Sequence, residues 1–403
     1  MAHTSADIAI IGAGIVGVCT AYELRKRGFD VVLVDKGEPG SGCSFGNSGA
    51  ISAGSVVPLA MPGVLASVPS MLGKPDSPLF LPWRYFPKAA PWLARFVWSA
   101  RPSVVQRSAA KLARLHSESV ALHDALAREV GVPELISHRG HLHLYADDAA
   151  LKADQAGWNL RRQHGIDFQL LDRSALLDLE PAVPEHYQRG VYLSDHASIR
   201  NPLRYVQAIA HAYAQRGGRY LQAQVTGLEQ AQKSWTLATS AGSVHASSVV
   251  MAAGVWSRQL LKPLGIHLSL ETQRGYHVQF KGGDSPVSRT VVLTDRKVFV
   301  TPMEDGLRVG GTVELAGLKA PPNDQRAEIL LRIAQDTFPD LQTQAYETWM
   351  GHRPCMPDSV PVIQSPERLP GLWLATGHGH LGLTDSVGTA RLIANGLQQK
   401  VPA

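Results

Sequence analysis

One stretch near the N-terminus constrains the fold more than any other: Asp7-Ile8-Ala9-Ile10-Ile11-Gly12-Ala13-Gly14-Ile15-Val16-Gly17, followed by Val31-Val32-Leu33-Val34-Asp35. An apolar run of strand length enters glycines spaced GxGxxG, a helical segment spans residues 15–27, and a second apolar strand ends in an acid. Those are the parts of a βαβ dinucleotide site in order. Gly12 permits the tight turn, Gly14 lets a pyrophosphate approach the backbone, and Gly17 lets the helix pack on the sheet. Unpaired amides at the helix start, with the positive end of its dipole, suit phosphates. Asp35, about twenty residues on, is placed to accept hydrogen bonds from a ribose diol. The chain is expected to bind an adenine dinucleotide.

The 403 residues suffice for two or three domains, and 44% hydrophobic with 18% charged residues is ordinary for a globular core. A formal charge of +5 without a basic run argues against nucleic acid as a partner. Cys19, Cys43 and Cys355 are odd in number and far apart, which excludes a disulfide framework or thiolate zinc site and fits a reducing compartment. With no charged n-region before the first apolar run, the expected location is cytoplasmic, or peripheral on the cytoplasmic side of the inner membrane.

Residues 36–50 are mostly small, so their backbone is expected to press against a ligand. Gly42-Cys43-Ser44-Phe45-Gly46 fits the GxSxG pattern of a hydrolase nucleophile elbow, but no strand leads into it. The loop reads better as a second wall for the dinucleotide. Residues 61–102 are rich in Pro and Trp. Arg84, Lys88, Arg95 and repeated prolines exclude a spanning helix, leaving either a helical hairpin on the protein's own core or an interfacial segment. Residues 103–131 read as one helix. In Gly140-His141-Leu142-His143-Leu144-Tyr145 the two histidines share a strand face and are expected to be exposed rather than metal-bound.

Farther on, residues 201–217 read as a helix, 218–230 with 235–239 as hairpin strands, and 268–313 as an antiparallel sheet. A buried strand ends in Ala252-Ala253-Gly254-Val255-Trp256-Ser257, again with room for a ligand. Near the C-terminus, Leu372-Trp373-Leu374-Ala375-Thr376 runs into Gly377-His378-Gly379-His380-Leu381-Gly382-Leu383-Thr384 and a final helix. A second strand–glycine–helix junction has no task in a nicotinamide enzyme. In a flavoenzyme its amides can face the N1–C2=O edge, where charge develops on reduction.

Together with the Ser44-Phe45-Gly46-Asn47-Ser48-Gly49 loop, Arg274-Gly275-Tyr276 and Gly351-His352-Arg353-Pro354, these blocks resemble the D-amino-acid oxidase superfamily of FAD enzymes, most of all its bacterial D-amino-acid dehydrogenase branch. The resemblance implies a mixed α/β fold: a Rossmann-like FAD-binding domain with a second, largely antiparallel β-sheet substrate domain. The first is expected from residues 1–60, 190–265 and 345–403, the second from 61–189 and 266–344, with a helical Pro/Trp-rich insertion at about 61–130.

It implies that FAD contacts fall on Gly12, Gly14, Ile15, Val16, Gly17, Asp35, Lys36, Ser44, Asn47, Ser48, Gly49, Val225, Ala253, Gly254, Trp256 and on Gly377, His378, Gly379, His380, Leu381, Gly382, Leu383 and Thr384. Arg353 takes the position that grips a substrate carboxylate, Tyr276 a second substrate contact, and His380 the edge of the flavin ring. Cys355 reads as a small buried residue rather than a flavin attachment point.

The implied reaction is hydride transfer from a D-amino acid's Cα to flavin N5, giving a 2-oxo acid and ammonia, with electrons passed to a quinone-type acceptor of an electron-transfer chain. A cyclic or N-substituted substrate (D-hydroxyproline, D-proline, glycine or sarcosine) is the alternative within the class. Outside it stand an FAD-binding scaffold, an RNA-modifying protein and a non-enzymatic NAD-binding module.

Overall fold

The computed structural model describes residues 3–63, 77–232 and 234–399; part of the Pro/Trp-rich stretch, residues 64–76, lies outside them. The fingerprint forms strand β1 (His3–Ile11), helix α1 (Ile15–Lys26) and strand β2 (Val31–Asp35), with β1 and β2 parallel. Successive side chains of these strands point to opposite faces, and both faces are covered. Ile8, Ile10 and Leu33 pack with Val18 and Leu24 of α1 and with Ile393 of the C-terminal helix Gly382–Gln398. Ala9, Ile11, Val32 and Val34 pack on the other side with Trp235, Met251 and Leu374.

Among the described residues the sheet has eight strands. Arg219–Gln222 lies at one edge beside β2, Gly242–Met251 runs parallel to β1 on its other side, and Leu372–Thr376 is parallel to that strand in turn. The first and last strand–glycine–helix junctions of the chain therefore open at the same edge of one sheet. Only Val225–Ala231 and Ser234–Thr239 form the expected hairpin. Arg219–Gln222 instead extends the parallel part of the sheet, since its Tyr220 and Leu221 pair with Leu33 and Val34.

Among the described residues a second sheet, of nine strands, is largely antiparallel, in the order Tyr346–Cys355, Glu271–Phe280, Leu307–Glu314, Val298–Pro302, Thr290–Leu293, His141–Tyr145, Arg189–Leu193 and Gln169–Leu171, with Leu79–Phe80 beside Leu307–Glu314. Helix Asp324–Thr337 covers one face, with Leu330 and Ile333 packing on Val278 and Val309. The strand carrying Arg353 thus belongs to this sheet rather than to the dinucleotide sheet.

The Pro/Trp-rich segment forms helix α2 (Phe86–Ser99), with Pro87 in its first turn, followed by helix α3 (Pro102–His116). The single helix expected over residues 103–131 breaks at Ser117-Glu118 before a second, Ser119–Glu129. Trp92 is buried on the inner side of α2, whereas Trp83 (85% exposed) and Trp98 (50%) face outward. No helix among the described residues is long and apolar enough to cross a membrane.

The two strand histidines are a correction. His141 is buried, and His143 stands edge-on to the Trp158 ring at 5.3 Å. His141 meets Ala197 O and the His196 ring, so the face they share is covered by the Ala197–Ile199 strand and the residue before it instead of solvent. No group of three or more metal-type ligands occurs among the described residues.

Candidate active site

At the fingerprint turn, the Gly12 amide donates to Val34 O at 2.8 Å with φ +108°. A Cβ there would lie 2.4 Å from Ala252 O, and one at Gly17 would lie 1.9 Å from Gly12 O. Both glycines are fixed by packing. A Cβ at Gly14 would meet only Ser44 Oγ, at 3.5 Å, leaving open space where a phosphate can approach. The Ile15 amide donates to Ser44 Oγ at 2.9 Å, so the glycine-rich loop caps α1 from across the chain. Asp35 is more occupied than its sequence position suggests. Its Oδ2 accepts from the Ala13 amide at 2.7 Å and its Oδ1 from Gly37 at 2.9 Å, so the carboxylate braces the turn and offers a ribose its remaining lone pairs.

Residues 42–49 are held by groups that sequence reasoning missed. The buried Arg308 guanidinium donates through Nη1 to Phe45 O (3.0 Å) and Asn47 O (2.5 Å), and burial lowers its pKa to about 10. His277 Nδ1 donates to Gly46 O at 3.1 Å, and its ring stacks on Trp349 at 5.2 Å. A Cβ at Gly46 would lie 2.0 Å from the Trp349 ring, and one at Gly351 1.9 Å from it. The only trace of this in the sequence is a pair of glycines that leave space for a large ring. Asn47 Oδ1 accepts from the Gly49 amide, and Gly49 O from Ile199, which pins the loop's far end.

At the C-terminal junction, Gly377 (φ +86°) and Gly379 (φ +57°) turn the chain from its strand into the final helix. The Gly379 amide donates to Pro354 O at 2.9 Å, tying the turn to the strand that carries Arg353. His380 projects into the cavity, and its pKa falls to about 4 through desolvation and then the Arg353 charge. His378 is buried with Nε2 3.1 Å from Thr389 Oγ1.

Arg353 carries its charge at this end without a countercharge among the described residues. Its Nη1 donates to Thr312 O at 3.0 Å, and no carboxylate among the described residues forms an ion pair with it. Desolvation lowers its pKa from the usual arginine range. Tyr276 lines the same cavity as Arg353. It neighbours Gly275 on the same strand, but its ring joins the core with Val278 and Phe280, and its hydroxyl donates to Glu314, which also pairs with the buried Arg274 at 3.1 Å. Arg353 lies over Gly275, and both border the cavity together with Tyr276, whose hydroxyl is already taken by Glu314. Cys355 is buried, and burial pushes its thiol up to about 12.

All these parts open on one cavity of about 1660 Å³, larger than the roughly 300–1,000 Å³ of ordinary ligand sites. Gly12, Gly14, Ile15, Val16, Asp35, Lys36, Ser44, Asn47, Ser48, Val225, Ala253, Gly254, Trp256, His378, Gly379, His380, Leu381, Gly382 and Leu383 line it. Gly17, Gly49, Gly377 and Thr384 do not: Thr384 Oγ1 accepts from the Ser52 amide at 3.1 Å behind the wall. Lys36 Nζ sits 4.9 Å above the Trp256 ring. A cavity of this volume, with a helix N-terminus at the first and the last glycine turn, has room for a flavin dinucleotide and exceeds the needs of a mononucleotide.

Residues 7–395 match the model of the DAO family, FAD dependent oxidoreductase. The chain belongs to this family. It is 38% identical over 403 residues to a D-amino-acid oxidase of Bradyrhizobium diazoefficiens, covering 98% of this chain and 96% of that one. It is 33% identical over 398 residues to a D-amino acid dehydrogenase of Paramagnetospirillum magneticum, covering 96% and 94%. In fold it is similar to glycine oxidase from Bacillus cereus, with a TM-score of 0.76 at 21% identity over 98% of this chain and 96% of that one. The protein is therefore an FAD-dependent oxidoreductase. As a member of this family it could hold the pyrophosphate at Gly14–Val16 and the Ser44 loop, and the isoalloxazine at the turn 377–383.

Proposed function

We propose that this flavoenzyme oxidises D-amino acids at Cα, releasing a 2-oxo acid and ammonia. The observation that carries the reading is Arg353, a half-buried guanidinium beside the 377–383 turn with no carboxylate partner among the described residues. A desolvated arginine without a countercharge is costly unless a ligand supplies one, and its planar fork can grip a carboxylate bidentately. The names of the full-length relatives support the D-amino acid. When bound, the flavin takes the Cα hydrogen and two electrons at N5. Arg353 fixes the carboxylate and so the direction of the Cα–H bond. His380, uncharged at neutral pH, does not compete for that carboxylate. The amine proton passes to solvent, and water hydrolyses the resulting imino acid.

An anaerobic screen tests this. D-amino acids should bleach the bound flavin and L-amino acids should not, with D-proline and cis-4-hydroxy-D-proline as the cyclic comparison. Arg353→Ala should retain its flavin but need at least about 100-fold more substrate for half-maximal reduction. Unaltered reduction in that variant would overturn the reading.

We further propose that the electrons go to a quinone-type acceptor at an anionic membrane surface. Support comes from residues 77–117, which contain seven Lys or Arg and no Asp or Glu. Arg84, Lys88, Arg95, Arg101, Arg107, Lys111 and Arg114 are all exposed, next to the outward-facing Trp83 and Trp98. Basic residues with interfacial Trp suit a peripheral contact with anionic lipid.

A further inference from the structure

We infer that Asp385 and His116, a buried pair behind the last glycine turn, set the reduction potential of the bound flavin. Asp385 lowers it and His116 offsets Asp385; this rests on the flavin ring lying at the turn 377–383.

Asp385 stands in the first turn of the helix Gly382–Gln398, and its amide donates to Leu381 O at 2.9 Å. Leu381, Gly382 and Leu383 line the cavity, so the carboxylate lies one layer behind the wall. His116 ends α3, and its Nε2 lies 2.8 Å from Asp385 Oδ1. Both side chains are excluded from water, at 0% and 1% exposure. A Cβ at Gly388 would lie 3.4 Å from Leu115 O, so the two helices meet closely at this point.

A second histidine on the same turn shows what a structural role looks like. His123 comes from the helix Ser119–Glu129; its Nε2 donates to Leu383 O at 2.8 Å and its Nδ1 accepts from Tyr205 Oη at 3.0 Å. Both nitrogens are used, and burial lowers its pKa to about 4, which keeps the ring neutral. The pair differs. His116 Nδ1 and Asp385 Oδ2 have no hydrogen-bond partner among the described residues. A buried carboxylate faced by one imidazole costs stability more readily than it adds any, so its place here calls for an electrostatic reason rather than a packing one.

The field of the pair reaches the cavity wall. Burial, joined at His380 by the Arg353 charge, holds His378 and His380 below the ordinary imidazole range; on both rings Asp385 then acts upward and His116 downward. Reduction places negative charge on the N1–C2=O edge of a flavin, which the positive end of a helix dipole stabilises. A carboxylate in the first turn cancels part of that positive end, and an imidazole beside the carboxylate restores some of it.

The test is the midpoint potential of the flavin in the holoenzyme, from an anaerobic dye-coupled titration, together with its Kd for sulfite, which adds at N5 and pushes charge onto the same edge. Asp385→Asn should shift the reduction equilibrium at least about 10-fold toward reduced flavin, about 30 mV for a two-electron couple, and tighten sulfite binding. His116→Gln should move both quantities the other way. The double variant His116→Leu/Asp385→Leu leaves no lone buried charge, so it keeps the test open if a single variant does not fold. Its potential should lie above that of the wild type and between those of the two single variants. His123→Gln, on the same turn, should lower the melting temperature and leave potential and sulfite affinity in place. Shifts of the same sign in the two single variants, or none in the double variant, would overturn the inference, as would His123→Gln moving the potential as far as Asp385→Asn. No amino acid enters either measurement, so the outcome is independent of the substrate reading above.

Discussion

Arg353 occupies the space that a side chain at Gly275 would take: a Cβ there would lie 2.1 Å from the guanidinium carbon. The two residues sit on neighbouring antiparallel strands, where Gly275 pairs with Gly351 and Arg353 with Gln273. Glycine is demanded here by close approach, with no unusual backbone angle required. Gly275→Ala should therefore displace the guanidinium while leaving the dinucleotide turns intact. We expect kcat/KM to fall at least about 10-fold, or about 1.4 kcal/mol of transition-state binding, at unchanged flavin content. Titrating the flavin with substrate and measuring flavin-to-protein absorbance in the same sample checks both halves.

Arg308 makes the complementary case at the other wall. It donates to two carbonyls of the 42–49 loop and to Gln279 Oε1 at 2.9 Å, so removing it leaves buried acceptors unpaired. Arg308→Met should loosen the loop that caps α1 through Ser44 and weaken flavin retention. The expected result is loss of about 2 kcal/mol or more of stability, with free flavin appearing on gel filtration. A variant that keeps its flavin through repeated dilution would deny the loop this role.

The fingerprint could be read because its glycines answer local constraints: a turn, an approach and a helix contact, each at a fixed spacing. The same held for the strand–glycine–helix junction at 372–384. The partners of Tyr276 were not legible, because a strand's two faces look alike until its neighbours are known. Only the register beside Tyr346–Cys355 and the contact with Glu314 show that its hydroxyl is already taken. Arg308, His277 and Trp349 left no motif because they act on a loop more than 230 residues earlier in the chain. His141 and His143 were misjudged because alternation says which residues share a face, not whether a neighbouring segment covers it.

That covered face carries a pH dependence. The Gly54 amide donates to His196 Nε2 at 2.8 Å, which leaves the proton on His196 Nδ1 to donate to His141 Nδ1 at 3.0 Å. His141 Nε2 then donates to Ala197 O at 2.9 Å. Both rings must be neutral for the chain to close. Burial lowers His141 to about 4 and His196 well below its ordinary value. The unfolded chain binds protons here from about pH 6.5 downward while the folded one does not, so this stability is fully present above pH 6.5 and is lost as pH falls toward 4. For His141 alone the loss amounts to roughly 3 kcal/mol. The melting temperature should fall between pH 7 and 5, and fall less in a His141→Gln/His196→Gln double variant. Parallel curves would place the acid sensitivity elsewhere.

The basic face gives the last prediction. Arg107, Lys111 and Arg114 lie at i, i+4 and i+7 on the exposed side of α3, and no described residue forms an ion pair with any of them. Each cation near an anionic bilayer contributes about 1 kcal/mol, and the attraction decays within a Debye length of about 10 Å at 0.1 M salt. The holoenzyme should therefore co-sediment with phosphatidylglycerol-containing vesicles at low salt, not with purely zwitterionic ones, and be released as salt rises. Reversing the three charges to Glu should weaken that binding by at least about 100-fold, whereas Trp83→Ser with Trp98→Ser should weaken it without removing its salt dependence. Because these residues point away from the cavity, the charge-reversed enzyme should reduce its flavin with a soluble D-amino acid at the wild-type rate. Equal sedimentation with both vesicle types would mean that the acid-free stretch serves solubility and not attachment.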